Sequence, residues 1–268
     1  RKFLAGIAKN LTIYEPSPIR QLTKTSAIAD TGTVHAEKII VATHFPFLNK
    51  HGSYFLKLYQ HRSYLLALQG AAPLQAMYVD DDKTGFSFSS FDSYLLLGGG
   101  GHRTGKQGGS YGALEAFRET HYPTATEAFR WAAQDTMSLD SVPYIGNYSA
   151  NTPDLYVATG FNKWGMTGSM VSARLLTELI LERRQDTGIF SPSRSILKPQ
   201  LLANMAETTM NFLLPTTKRC PHLGCALKYN PQEHSWDCSC HGSRFSEEGK
   251  VLDNPANGDM GEGFRHRR

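Results

Sequence analysis

The chain carries four cysteines, and all of them lie between positions 220 and 240. The segment reads Cys220-Pro221-His222-Leu223-Gly224-Cys225, then Cys238-Ser239-Cys240-His241-Gly242-Ser243. The C-x-H pair Cys220/His222 and the C-x-x-H pair Cys238/His241 each fit on one loop, and two such loops can clamp a metal centre from opposite sides. The C-terminal part of the chain must therefore fold so that two loops face each other. Thiolate and imidazole are good ligands for both iron and zinc. By themselves the residues admit an electron-transfer iron–sulfur centre. They also admit a structural zinc site of two cysteines and two histidines, or of four cysteines. His234, between the boxes but outside both, reads as a solvated loop residue.

The boxes C-P-H-L-G-C and C-S-C-H-G-S resemble those of Rieske [2Fe–2S] proteins, in which two cysteines hold one iron and two histidines the other. The resemblance implies Cys220 and Cys238 on one iron, His222 and His241 on the other, and a Cys225–Cys240 disulfide joining the loops. It places the chain with the higher-potential branch seen in cytochrome bc complexes. There a serine two residues after the last histidine bonds a bridging sulfide, and a tyrosine four residues after it bonds a ligand sulfur. Ser243 and Phe245 stand at those positions. One potential-raising hydrogen bond is kept and the other lost, so the expected potential lies within roughly −150 to +300 mV, below the top of that range.

The length of 268 residues suits one large or two modest domains, and 40% hydrophobic residues support a real core. A net charge of +4 with scattered bases gives no footprint for nucleic acid. The terminal Arg265-His266-Arg267-Arg268 reads as a frayed tail. No apolar run reaches transmembrane length and no signal-peptide pattern opens the chain. The expected setting is cytoplasmic, and a start at Arg1 suggests a fragment.

Along the chain, residues 2–9 read as the end of a helix, 11–15 as a short strand and 19–36 as two strand-like pieces. Ile39–Thr43 reads as a buried parallel strand. Strands are expected at Tyr64–Leu68, Gln75–Val79 and Tyr94–Leu97, forming an antiparallel sheet. Residues 112–121 and 124–133 read as helices. Leu155–Thr159 reads as a buried strand that turns at Gly160 into a long amphipathic helix over 166–184. No internal repeat is visible. The run Gly98–Gly101 before His102 lacks the strand–helix context of a dinucleotide fingerprint and reads as the end of a strand. His44, His61 and His102 are candidate pocket residues, while Tyr64, Tyr111 and Trp164 read as packing groups.

Three stretches, Ile40-Val41-Ala42-Thr43, Asp140-Ser141-Val142-Pro143-Tyr144-Ile145-Gly146 and Ala158-Thr159-Gly160-Phe161 through Gly165-Met166-Thr167, stand in the order and spacing of the glycine/D-amino-acid oxidase family of FAD-dependent oxidoreductases, which they resemble. The resemblance covers about residues 1–184. It implies FAD contacts at Thr43, Gly160, Phe161, Asn162, Lys163, Trp164, Gly165, Met166 and Thr167, where glycine lets the backbone approach closely and a helix N-terminus offers N–H groups. The family's ADP-binding glycine fingerprint is absent from this sequence, which predicts weak or no FAD binding by this stretch alone.

The expected fold class is α+β or α/β. It consists of the C-terminal part of a three-layer flavin-binding domain with an antiparallel substrate sheet, followed by a small, incomplete all-β Rieske module. The expected boundaries are 1–185 for the oxidoreductase segment, 186–213 for a linker and 214–268 for the Rieske domain. Within the first, residues 1–50 and 130–185 would bind flavin and 51–129 would form the substrate sheet. The implied function is oxidation of an amine or amino acid with electrons leaving singly through the cluster to an acceptor, membrane-associated or not. The rivals are a non-enzymatic electron-transfer module and a zinc-stabilised binding protein.

Overall fold

A computed structural model describes residues 2–47, 51–81, 85–106 and 110–261. The Arg265–Arg268 tail lies outside them. In chain order the elements are α1 (Lys2–Ala8), β1 (Ile19–Leu22), β2 (Ser26–Ala29), β3 (Gly32–His35), β4 (Ile39–Val41), α2 (Tyr54–Lys57), β5 (Leu58–Gln69), β6 (Tyr78–Val79), β7 (Ser87–Phe91) and β8 (Tyr94–Arg103). Then come α3 (Tyr111–His121), β9 (Thr126–Ser138), β10 (Tyr144–Asn147), β11 (Leu155–Thr159), α4 (Gly165–Ile180), α5 (Pro199–Leu213), β12 (Leu227–Asn230), β13 (Ser235–Cys238), β14 (Arg244–Ser246) and β15 (Val251–Asp253).

Four sheets result, ordered β1-β2-β3, β10-β11-β4, β6-β7-β8-β5-β9 and β12-β13-β14-β15. β4 and β11 pair in parallel with Val41 opposite Val157, and their branched side chains pack with Phe45, Tyr54, Leu58, Tyr144 and Tyr148. This register carries Thr43 and the Gly160 turn to one sheet edge. α4 packs on β10 and β11 through Leu176, against Ile145, Tyr156 and Ala158.

The long sheet is held by β5, which pairs antiparallel with β8 and β9 along nearly its whole length. Its residues alternate. Gln60, Arg62, Tyr64, Leu66 and Leu68 are buried on one face, whereas Tyr59, His61, Ser63 and Leu65 stand half-buried on the other. Part of the buried face packs against α3 through Tyr64, Leu66, Leu97 and Leu114.

Several sequence expectations are corrected. Residues 124–133 do not form a helix; Thr126–Ser138 is β9, because in-register pairing with β5 overrides the helix preference of an Ala- and Glu-containing stretch. Strand β9 also carries the substrate sheet past residue 129 to Ser138. Residues 11–15 form no strand. Gly98–Gly101 lies inside β8 and does not end it. A Cβ at Gly101 would lie 2.7 Å from the His61 ring, so the close approach of that ring requires glycine. Trp164 is exposed, not packed, while Tyr64 and Tyr111 are buried as expected. The stretch read as a linker contains a 3-10 turn at Gly188–Phe190 and the helix α5.

Candidate functional site

The C-terminal sheet presents two loops with the same construction. In the first, the Cys220 amide donates to Cys225 O and the Gly224 amide to Cys220 O, both at 2.8 Å. In the second, the Cys238 amide donates to Ser243 O at 2.9 Å and the Gly242 amide to Cys238 O at 2.8 Å. Each loop closes through a left-handed glycine, with φ of 80° at Gly224 and 84° at Gly242. Cys225 and Cys240 form the disulfide that ties the loops together.

The remaining donors converge. The His222 and His241 rings lie 5.0 Å apart. Cys220 and Cys238 are buried, unbridged and hydrogen-bonded to each other. The hydrogen bond from Cys220 and the backbone amides of its own loop pull the Cys238 thiol down, while the same contact and burial push Cys220 up. Burial lowers His222 to about 4 and, with the charges of His222 and Arg103, lowers His241 to about 3. Both imidazoles are therefore neutral, the form a metal needs. The ring nitrogens of His241 are buried without a well-formed hydrogen bond, although the Phe55 backbone lies close. The ligand atoms of Cys225, Cys238 and Cys240 all lie within 4.8 Å of one another. Two of those sulfurs are joined in the disulfide, so the available set is two thiols and two imidazoles. That donor set fits a Rieske cluster, with a sulfur pair on one side and a nitrogen pair on the other. Ser243 accepts from the Ala256 amide at 3.0 Å, and its hydroxyl interacts with the Cys220 sulfur. Phe245 is fully buried in the module's core.

The histidine edge packs against the first part of the chain. The Phe45 ring lies 6.4 Å from His222 and 6.3 Å from His241, and Phe55 lies 6.3 Å from His241. Asn254 donates to Thr43 O and Phe45 O, fastening the strand end to the module. The buried face of the long sheet does the rest. Gln134 donates to Gly242 O at 2.9 Å. A Cβ at Gly242 would collide with the Gln60 side chain. At the end of β8, on the Tyr59 and His61 side of the sheet, Arg103 donates to Ser239 O and Cys240 O at 3.0 Å each and stacks on Tyr59. Arg62 and Arg244 share Glu233, with Asp237 and Asp253 completing the network. None of these sheet residues belongs to a recognisable motif. The alternation of β5 could have flagged Gln60 and Arg62 as polar groups on a buried face.

The other face of the same strands lines a cavity of about 790 Å³. Tyr59, His61 and Ser63 enter it from β5, Asp135 from β9, and Asn162 and Lys163 from the turn before α4. Burial, then the charges of Lys163 and His102, lowers His61 to about 4; burial raises Asp135. The His61 Nδ1 and the Ser63 hydroxyl are buried without partners. His44 instead accepts a 3.1 Å hydrogen bond from the Thr136 amide, and His102 bonds Tyr64 at 3.0 Å outside this cavity. The 160–168 turn is held by Asn162, whose amide donates to Thr136 O at 3.1 Å and whose Oδ1 accepts from the Ser138 amide at 2.9 Å. Asn162 and Lys163 are both left-handed, at φ of 50° and 72°. Lys163, Trp164, Gly165, Met166, Thr167 and Thr43 are exposed along one edge, Phe161 is half-buried and Gly160 is buried. No side chain caps α4, leaving its first turn open to a ligand. An exposed backbone edge of this kind fits the pyrimidine side of a flavin.

A strand-edge turn over a cavity thus stands beside a two-loop cysteine–histidine centre, the pairing of a flavin-binding family fold with an iron–sulfur module. The FAD dependent oxidoreductase family matches residues 2–179 and the Rieske [2Fe-2S] domain matches residues 207–262. The chain belongs to the FAD dependent oxidoreductase family, and its C-terminal module is a Rieske [2Fe–2S] domain. The putative Rieske 2Fe-2S iron-sulfur protein YhfW of Bacillus subtilis is 32% identical over 283 residues, covering 84% of this chain and 55% of YhfW. Cytochrome b6-f complex iron-sulfur subunit 3 of a Nostoc species is 46% identical over 37 residues, 14% of this chain and 21% of that subunit. Glycine oxidase from Geobacillus kaustophilus shares the fold with a TM-score of 0.59 at 21% identity, over 72% of this chain and 56% of the oxidase. The chain thus spans about half the length of YhfW and of the glycine oxidase.

Proposed function

We propose that the protein oxidises an amine or amino acid in the cavity over the 160–168 turn and sends the electrons singly through the Rieske centre to an acceptor. FAD, when bound, supplies the two-electron step. Thr43 and residues 160–167 would hold its ring edge. His61, Asp135 and Lys163 would contact the substrate. Cys220, Cys238, His222 and His241 would carry the cluster, with Ser243 bonding its sulfur side and Phe45 and Phe55 shielding its histidine side. The observation that supports this reading most is spatial. The cluster loops lie directly behind the sheet that lines the cavity, and the segment Thr43-His44-Phe45 runs from the strand end to both cluster histidines. The rival reading, a scaffold without catalysis, gives no reason for a cavity lined by His61, Asp135 and Lys163 beside the turn. Among the described residues no helix is long and apolar enough to cross a membrane.

The test is anaerobic addition of amines and amino acids to the whole protein, with flavin absorbance and the electron paramagnetic resonance signal of reduced cluster followed together. Bleaching of the flavin followed by growth of the cluster signal is expected. Flavin that bleaches while the cluster stays oxidised would remove the electron path, and an inert flavin would remove the substrate class.

A further inference from the structure

Helix α5 is built inside out. A surface helix normally turns its apolar stripe inward and its polar residues to water. In α5 the buried positions are Leu201, Asn204 and Asn211. Asn204 accepts from Arg103 at 2.8 Å and donates to Leu56 O. Glu207 turns inward to pair with Lys106 and accepts from Asn211. The outward face instead presents Leu202, Met205, Met210, Phe212 and Leu213, of which Leu202 and Leu213 are 71% and 74% exposed. Ala203, Ala206 and Thr209 fill the rest of it. Exposed Leu197 precedes the helix, and Leu214 and Leu223 extend the patch. No charge stands on the outward surface of a helix about 22 Å long.

The charges that flank this surface are mostly basic. Lys198 precedes the helix and shares Asp140 with Arg194. Lys218 follows it, above the Trp236 ring, and Arg219 caps the carbonyls of Phe212 and Leu214. The face has none of the Tyr, Trp and Arg residues that anchor protein interfaces. Aliphatic residues with basic neighbours are the composition of a helix lying in a lipid interface. We propose that the outward face of α5 rests on the surface of an anionic lipid bilayer, with Lys198 and Lys218 at the headgroups. The end of the helix meets the cluster loop: the Phe212 ring is 3.5 Å from where a Cβ on Gly224 would lie, and Leu223 sits between His222 and Cys225. The contact therefore brings the cluster's first loop to the membrane surface. This inference does not depend on the flavin or the substrate.

Co-sedimentation with vesicles tests it, using the whole protein and lipid of phosphatidylcholine alone or mixed with phosphatidylglycerol. The unmodified protein should pellet with the mixed vesicles. Leu202→Glu with Leu213→Glu should reduce that partitioning at least about tenfold, since two leucines no longer leave water. Lys198→Gln with Lys218→Gln should reduce it about tenfold on mixed vesicles only. Met77→Glu, a change at an exposed residue next to β6, should have no effect. An unchanged cluster resonance signal in each variant shows that the loops still fold. Unmodified protein that stays in the supernatant with both lipids overturns the proposal, as does a double glutamate variant that pellets like the parent. A dimer in light scattering that the glutamates dissociate, without vesicle binding, would assign the face to a second copy of the chain instead.

Discussion

The two faces of strand β5 do different work within the thickness of one sheet. The face carrying Gln60 and Arg62 is buried and packs on the C-terminal module, through the Arg62–Glu233 pair and the close approach of Gln60 to Gly242. The face carrying His61 and Ser63 is half-buried and leaves polar atoms unmatched around a cavity. A strand places successive side chains on opposite faces. One polar–polar run, Gln60-His61-Arg62-Ser63, thus serves two sites at once. Unmatched polar groups cost stability in a core but are what a ligand pocket must offer. The rear face is a structural joint, and the front face is the proposed recognition surface.

The largest effect falls on the cluster itself. Cys238→Ser should abolish iron incorporation, measured by iron content and the loss of the resonance signal, because it removes one of the two free thiols that would hold the cluster. Ligand binding in the front cavity should survive, since the sheet is held by its own ladder. Loss of both would show that the rear module supports the front face. Next, Arg62→Ala breaks the buried network with Glu233 and should cost about 3 kcal/mol in urea unfolding. A change within error would show that Arg244 alone satisfies Glu233.

Arg103→Leu removes a cation bonded to two carbonyls of the second cluster loop. The reduced, more negative cluster loses that stabilisation, so its potential should fall by about 50–100 mV in a redox titration. An unchanged potential would mean that the guanidinium only positions the loop. On the front face, His61→Ala should raise KM for substrate about tenfold and leave the cluster potential unchanged. A shifted potential would show that the two faces are coupled.

The same contrast governs what could be read from the sequence. The disulfide pair and the convergence of Cys220, His222, Cys238 and His241 were legible because these residue types recur at restricted spacing within short loops. The parallel strands at 39–43 and 155–159 were legible as runs of branched apolar residues. The joint between sheet and module was not, because Gln60, Arg62 and Gln134 on the rear face, and Arg103 at the end of β8, gain meaning only from contacts made across the sheet. β9 differs from the helix expected there for the same reason, since its partners in β5 are far away in sequence, from Gln69 opposite Thr126 to Leu58 opposite Ser138. The inverted polarity of α5 was also hidden. Its pattern is amphipathic either way, and only packing shows which side faces in.

The smallest expected effect concerns the front rim. Asp140, beside the cavity residues Ser138, Leu139 and Ser141, is held below the ordinary carboxylate range, chiefly by its hydrogen bonds from Arg194. A carboxyl whose folded pKa is depressed adds stability above its unfolded pKa and loses it as pH falls through the folded value. The Arg194–Asp140 pair should therefore contribute fully at neutral pH and fade below about pH 4. Arg194→Ala should cost about 1 kcal/mol at pH 7, as one partly covered ion pair. The difference between variant and parent should shrink as acid protonates Asp140. If the gap stays constant from pH 7 down to pH 3, Arg194 acts there through its stacking on Tyr144 and its bonds to the Val142 and Pro143 carbonyls, and the charge of Asp140 is incidental.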